Sequence, residues 1–215
     1  MQQPDLPESL TSGLASLGLA LDEAQHQRLL AYMALIAKWN RVYNLTAVRD
    51  TPGMLSLHLM DSLAVIPPLR RHLGGKPGSV LDVGSGAGLP GVIIAIAMPE
   101  LAVTCVDTVG KKASFVQQVA TELGLRNLHS EHARVEALQT PSVDVITSRA
   151  FASLPDFVQL TKRHLKPGAV WMAMKGKAPA EELANLPAEV DVFHVEQLTV
   201  PELDAERCLV WMKLK

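Results

Sequence analysis

Between Asp82 and Gly91 the chain reads Asp-Val-Gly-Ser-Gly-Ala-Gly-Leu-Pro-Gly. Ahead of it stands Ser79-Val80-Leu81-Asp82-Val83, an apolar run suited to a buried parallel strand. Behind it comes Val92-Ile93-Ile94-Ala95-Ile96-Ala97-Met98, which suits a helix. Glycines at 84, 86 and 88 let the backbone turn tightly and approach a ligand with no Cβ in the way. The helix N-terminus directs free N–H groups and a partial positive charge at the same place. A dinucleotide fingerprint would carry its third glycine where this chain has Leu89. Asp82, two residues before the first glycine, would repel a pyrophosphate and favour a cation. S-adenosylmethionine meets both demands, with a sulfonium and an ammonium for the acidic strand end and a carboxylate for the helix N-terminus.

In an open α/β sheet the ligand lies beyond the carboxyl ends of the strands, so the residues after each strand carry the next information. Asp107 ends a second strand predicted over Leu101 to Asp107, where its carboxylate can accept both hydroxyls of a ribose. That feature suits NAD and S-adenosylmethionine equally. A third strand over Asn127 to Glu131 leads to Ala133-Arg134-Val135-Glu136, which can border an adenine. A fourth, Val143 to Thr147, leads to Ser148-Arg149-Ala150-Phe151, and a fifth, Ala169 to Met174, to Lys175, Gly176 and Lys177. The fourth site reports on chemistry. It holds neither the Asp/Asn-Pro-Pro-aromatic acceptor used on exocyclic amines nor a cysteine for attack on a pyrimidine carbon. A target that is already nucleophilic, such as N7 of guanine, needs no proton removed, and alignment supplies most of the rate.

The positioning elements follow in order. Asp22 caps a helix running to Asn40, with Leu29, Tyr32, Met33, Ile36 and Trp39 on one face. Lys38 to Asp50 breaks the period and reads as an irregular connection. Basic groups beside Trp39 and Tyr43 suit a phosphate and a stacked base, and an Asn-rich turn with two aromatic anchors suits the same residues. Thr51-Pro52 starts another helix, ending near Pro67-Pro68, on which His58 and Asp61 share a face and can pair. The basic turn around Gly74-Gly75 separates an expected helical cap, 1–76, from an α/β domain, 77–215. Further helices are predicted over Gly110 to Leu123, Leu154 to Leu165 and Pro179 to Leu186. Two closing strands, Val190 to Leu198 and Arg207 to Leu214, return onto the sheet edge as a hairpin. Strand–helix alternation implies a parallel sheet with right-handed crossovers.

With 215 residues, 48% of them hydrophobic and 20% charged, the chain has room for one α/β domain and a small appendage. No apolar run reaches the roughly 18 residues of a membrane span, and the first residues lack the pattern of a signal peptide, so a cytoplasmic protein is expected. Cys105 and Cys208 sit in apolar runs and read as core residues, with no metal site and no disulfide expected. A net charge of -2 leaves any RNA contact to a local patch drawn from Arg70, Arg71, Lys76, Lys111, Lys112, Arg134, Lys175 and Lys177.

The glycine stretch resembles motif I of the class I methyltransferases. Lys38-Trp39-Asn40, Asn44-Leu45-Thr46, His58-Leu59-Met60-Asp61-Ser62, Ser148-Arg149-Ala150-Phe151 and Lys175-Gly176 stand around it in order. Together they resemble the RsmG (GidB) family, whose members methylate N7 of a guanosine in a decoding-region loop of 16S ribosomal RNA. The resemblance implies a class I S-adenosylmethionine-dependent methyltransferase, Rossmann-like, with a mostly parallel seven-stranded sheet, helices on both faces and a small N-terminal helical cap. It implies cofactor contacts at Gly84, Gly86 and Leu89, the adenine at Val135 and Glu136, the ribose at Asp107 and the methionine end near Arg149. Arg149 has a second reading as an ion-pair partner of Asp82 or Asp107, and Asp82 has one as a residue that only orients the glycine loop. Arg134, Lys175 and Lys177 become substrate contacts, and no residue is singled out as catalytic. A small-subunit particle is the expected form of the RNA, with no obligate protein partner. An NAD-dependent oxidoreductase and a non-catalytic adenosyl-ligand-binding assembly factor are the alternatives.

Overall fold

The computed structural model describes residues 5–215, so residues 1–4 of the expected cap lie outside the described residues. The first helix, α1 (Leu6–Ser16), was not expected from the sequence. Asp5 caps it by accepting the Glu8 N–H at 2.9 Å, and Pro7 occupies its first turn. α2 (Glu23–Tyr43) opens on a reciprocal capping box: Asp22 accepts the Gln25 N–H at 2.7 Å, and the Gln25 side chain accepts the Asp22 N–H at 2.9 Å. The Gln25 amide also donates to the Ile96 carbonyl at 2.9 Å, which ties this helix to the domain behind it.

Two expectations change here. α2 continues to Tyr43 and stops at Asn44, which takes the left-handed conformation, so the irregular connection starts six residues later than the sequence period suggested. The reason is Asn40. Buried at the helix end, it donates to the Val48 carbonyl at 3.0 Å and accepts the Thr46 N–H at 2.9 Å, folding the connection back onto the helix. Asp50, not Thr51, then caps α3 (Thr51–Met54), accepting the Gly53 N–H at 2.8 Å. A π-helical segment, Leu55–Met60, follows without a break into α4 (Asp61–Leu63), and α5 (Ile66–Leu73) ends at Gly74. A π segment in this place shifts the angular positions of His58 and Asp61 from those of an ideal helix.

The sheet comprises β1 (Gly78–Val83), β2 (Leu101–Asp107), β3 (Leu128–His132), β4 (Val143–Arg149), β5 (Leu165–Lys175), β6 (Val190–Leu198) and β7 (Arg207–Leu214). Their order is β3-β2-β1-β4-β5-β7-β6. The first five strands are mutually parallel; β7 enters antiparallel between β5 and β6, so the sheet is mixed at one edge. α6 (Gly91–Ala97) and α7 (Gly110–Glu122) join the N-terminal helices in one continuous core on one face. The other face is covered by α8 (Leu154–Thr161), with α9 (Ala180–Ala184) beside it. Trp171, fully buried there, donates its indole N–H to Thr161 Oγ1 at 2.8 Å, so its polar atom is satisfied inside the core.

Asn40→Ala strips both bonds that hold the 44–50 connection while leaving the apolar face of α2 intact. A loss of about 2 kcal/mol in denaturant unfolding is expected, with faster proteolysis of that connection.

Candidate active site

The glycine turn is built by positive φ. Gly84, Gly86 and Gly88 have φ of 66°, 59° and 90°, a region in which side chains bearing a Cβ are strained. The Gly84 and Ser85 N–H groups both donate to the Val106 carbonyl, at 2.9 and 3.2 Å, which locks the turn to the end of β2. Asp107 braces it from below, accepting the Gly86 N–H at 2.9 Å and the Val109 N–H at 2.8 Å. Tyr32, fully buried on α2, donates its hydroxyl to the Ala87 carbonyl at 2.6 Å, and burial holds that phenol well above its ordinary pKa. A helix from the cap thus fixes the middle of the ligand turn.

Of the two readings of Asp82, a partner for a cationic ligand and a residue that orients the glycine loop, the structure agrees with the second. The side chain is fully buried behind the turn, where Oδ2 accepts the Gly91 N–H at 2.8 Å and Oδ1 has no partner among the described residues. Burial pushes its pKa up to about 7, against the pull of the Gly91 N–H and the more distant Arg149 charge. Its work is to hold the first N–H of α6, and it offers no surface to a cationic ligand.

Beyond the carboxyl ends of β1, β2 and β4 lies a cavity of about 300 Å³ whose wall includes Gly84, Asp107, Lys112, Val135, Glu136 and Phe151. Four of the expected cofactor residues, Gly84, Asp107, Val135 and Glu136, meet here. The other three do not. Gly86 acts through Asp107. Leu89 points into the main core at 3% exposure, because its N–H closes the turn onto the Ser85 carbonyl and leaves its side chain behind it. Arg149 faces a different space.

That second space, of about 570 Å³, is walled by Thr46, His58, Asp61, Arg149, Lys175 and Arg207, among others. Asp61 is its centre. One carboxylate oxygen accepts from Arg149 at 3.2 Å and the other from Arg207 at 2.8 Å, while Arg149 also donates to the Leu57 carbonyl at 2.8 Å. Arg149 therefore pairs with Asp61, not with Asp82 or Asp107. Asp61 is taken by arginines from two strand ends, so the anticipated His58–Asp61 pair does not form. His58 instead bonds Thr46 Oγ1 through Nε2 at 2.6 Å. Burial and the Arg149 charge hold that imidazole below its ordinary pKa, and so neutral near pH 7.

Lys175 reaches this wall with its charge matched by Glu182 at 2.8 Å. Arg134 and Lys177, expected to touch substrate, are exposed and line neither cavity. Arg207 was missed. It opens β7, and nothing in the spacing of the chain connects it to Asp61, 146 residues earlier. Ala150 borders both cavities and sits in the left-handed region at φ 58°, a turn that ends β4 between them. Among the described residues no group of three or more His, Cys, Asp or Glu side chains is placed to hold a metal ion, and no helix is long and apolar enough to cross a membrane.

The strand order, the glycine turn after β1 and the acidic end of β2 define a class I methyltransferase fold. Solved structures agree on the fold. A SAM dependent methyltransferase from Aquifex aeolicus superposes with a TM-score of 0.57 at 21% identity, covering 77% of this chain and 95% of that one. TrmN from Thermus thermophilus gives 0.58 at 21% identity over 71% of this chain and 48% of that one. Residues 25–210 match the family GidB, rRNA small subunit methyltransferase G, and the chain belongs to that family. The ribosomal RNA small subunit methyltransferase G of Methylibium petroleiphilum is 60% identical over 210 residues, covering 98% of this chain and 95% of its own. That of a Polaromonas species is 61% identical over 212 residues, covering 97% and 93%.

The buried carboxyl of Asp82 gives a test of the turn. Its folded pKa of about 7 lies above the ordinary 3.8, so the folded chain binds more protons than the unfolded one between those values, and stability falls as pH rises through them. Asp82→Asn removes that titration. Wild type should lose stability relative to Asp82→Asn as pH rises from 3.8 to about 7, read by denaturant midpoints across the window. A gap independent of pH would show that Asp82 is ionised throughout.

Proposed function

We propose that this chain transfers the methyl group of S-adenosylmethionine to N7 of a guanine in 16S ribosomal RNA. The observation that carries the reading is the meeting of two cavities at Ala150: one bears the methyltransferase glycine turn, the other a ring of polar and cationic groups. The first cavity fits the cofactor. Gly84 presents bare backbone to this cavity, and the Phe151 ring packs where a Cβ would stand, at 2.6 Å. The Asp107 carboxylate keeps acceptor capacity for ribose hydroxyls beyond its two backbone bonds, and Val135 and Phe151 offer apolar faces to an adenine. When bound, S-adenosylmethionine supplies an electrophilic methyl on a sulfonium that leaves with the bonding pair.

The second cavity is short of a base. Both Asp61 oxygens are taken by arginines, Lys175 is matched by Glu182, and His58 is engaged with Thr46 through Nε2 while its Nδ1 is buried. Such a site suits a nucleophile that already carries its lone pair. N7 is one, and the exocyclic amine of guanine is a poorer fit. Arg149 and Arg207, held as a fork by Asp61, supply donors for the acceptor edge of the base and for phosphate. On this reading the RNA lies within a small-subunit particle, in the cytoplasm, supported by the family's description as an rRNA small subunit methyltransferase.

Methyl-labelled S-adenosylmethionine and small subunits lacking the modification provide the test. One 7-methylguanosine per particle is expected by mass analysis of the nucleosides. A product methylated on an exocyclic amine would overturn the N7 assignment, and no transfer would overturn the enzymatic reading. Gly84→Ala places a Cβ against Phe151 in a strained conformation, so cofactor affinity should fall about tenfold or more by calorimetry. Arg149→Ala leaves cofactor affinity near that of wild type and lowers kcat/KM about a hundredfold, because it also strips Asp61 of one partner.

A further inference from the structure

The C-terminal part of α2 packs on α7 through Trp39 and Phe115, next to residues that border the two cavities, and this rim is cationic and aromatic. Trp39 is half-buried, stacked on Tyr43 at 5.2 Å between centroids and set edge-on against the buried Phe115 of α7 at 5.6 Å. One helical turn beyond that contact along α2 stands Tyr43, and one turn before it along α7 stands Lys111. Lys112, at the start of α7, borders the first cavity, and Thr46, just past α2, borders the second.

Tyr43 is 39% exposed and its neighbour Val42 is 71% exposed, two of the four large apolar side chains that the described surface leaves open. Lys38 stands one helical turn before Val42, Lys111 and Lys112 open α7 one turn before Phe115, and none of these lysines makes an ion pair among the described residues. The single acid between residues 38 and 53, Asp50, is spent on the Gly53 N–H. In a chain of net charge -2, unmatched cations around a bared aromatic ring form a surface complementary to a single-stranded nucleic acid.

We propose that this rim docks the unpaired RNA flanking the target nucleotide: Tyr43 stacks a base, Val42 packs beside it, and Lys38 and Lys111 hold phosphates. The proposal rests on the ribosomal RNA reading above and names where that RNA lies. Trp39 is the anchor that presents the platform, since Phe115 covers its other side. A ribosomal protein is the competing occupant of the same rim.

Steady-state methylation of small-subunit particles by the full chain separates the two. Tyr43→Ala should raise the particle KM about tenfold with kcat within about twofold, and Tyr43→Phe, which keeps the ring, should restore the wild-type value. Val42→Ser alters the same surface at a position without core contacts, so a rise in KM there excludes misfolding as the cause. The double variant Lys38→Ala, Lys111→Ala should lower the slope of log affinity against log salt by about 1.4. Ultraviolet crosslinking, mapped by mass, should join the peptide containing Tyr43 to RNA. Unchanged KM and salt slope in these variants, or a crosslink to a ribosomal protein, would overturn the docking surface. Absence of methyl transfer by wild type would instead overturn the functional reading on which it stands.

Discussion

Asp61 is the residue through which cap and sheet become one site. Its carboxylate is 3% exposed and lies between a guanidinium from the end of β4 and another from the start of β7. A buried carboxylate with one partner removed is costly, so each arginine holds the other in place through it. The helix carrying Asp61 reaches that point as α4, directly after a π-helical segment, and the same stretch gives the Leu57 carbonyl to Arg149 and His58 to Thr46. Strand ends, helix and the 44–50 connection converge on this group of bonds. Without it the second cavity would have no fixed wall opposite Ala150.

The first cavity depends on backbone in the same way that the second depends on charge. Every fixed point of the glycine turn is a carbonyl or N–H group: Val106 at its start, Asp107 beneath Gly86, Tyr32 on Ala87 and Asp82 on Gly91. Tyr32 comes from the cap, so α2 braces the cofactor turn at one level and, through Asn40, the substrate-side connection at another. One helix therefore sets the relation between the two cavities. Ala150 marks where they join, and the left-handed turn there carries Arg149 to one side and Phe151 to the other.

Much of the fold was legible because its signals are local. β2, β6 and β7 begin and end where the apolar runs predicted, and the Asp22 cap lies where the helix period starts. α1 escaped notice since its capping signal, Asp5, falls beside two prolines that read as a loop. The end of α2 was missed because Asn40 terminates the connection through bonds to residues six and eight positions on, which no period reveals. In the site, Gly84, Asp107, Val135 and Glu136 follow from their place after strands. Asp82 kept two readings in the sequence because a carboxylate in a strand run carries no mark of which way it faces. Asp61 and Arg207 are joined only by topology: β7 must insert next to β5 before its first residue can reach α4.

On the proposed reading, methyl transfer occurs where the two cavities adjoin at Ala150. A crystal structure of the chain with S-adenosylhomocysteine tests this most directly. The expected result places the adenine by Val135 and Glu136, the ribose on Asp107 and the sulfur at Ala150, facing the space walled by Arg149 and His58. A ligand bound elsewhere, or a sulfur directed away from that space, would contradict it.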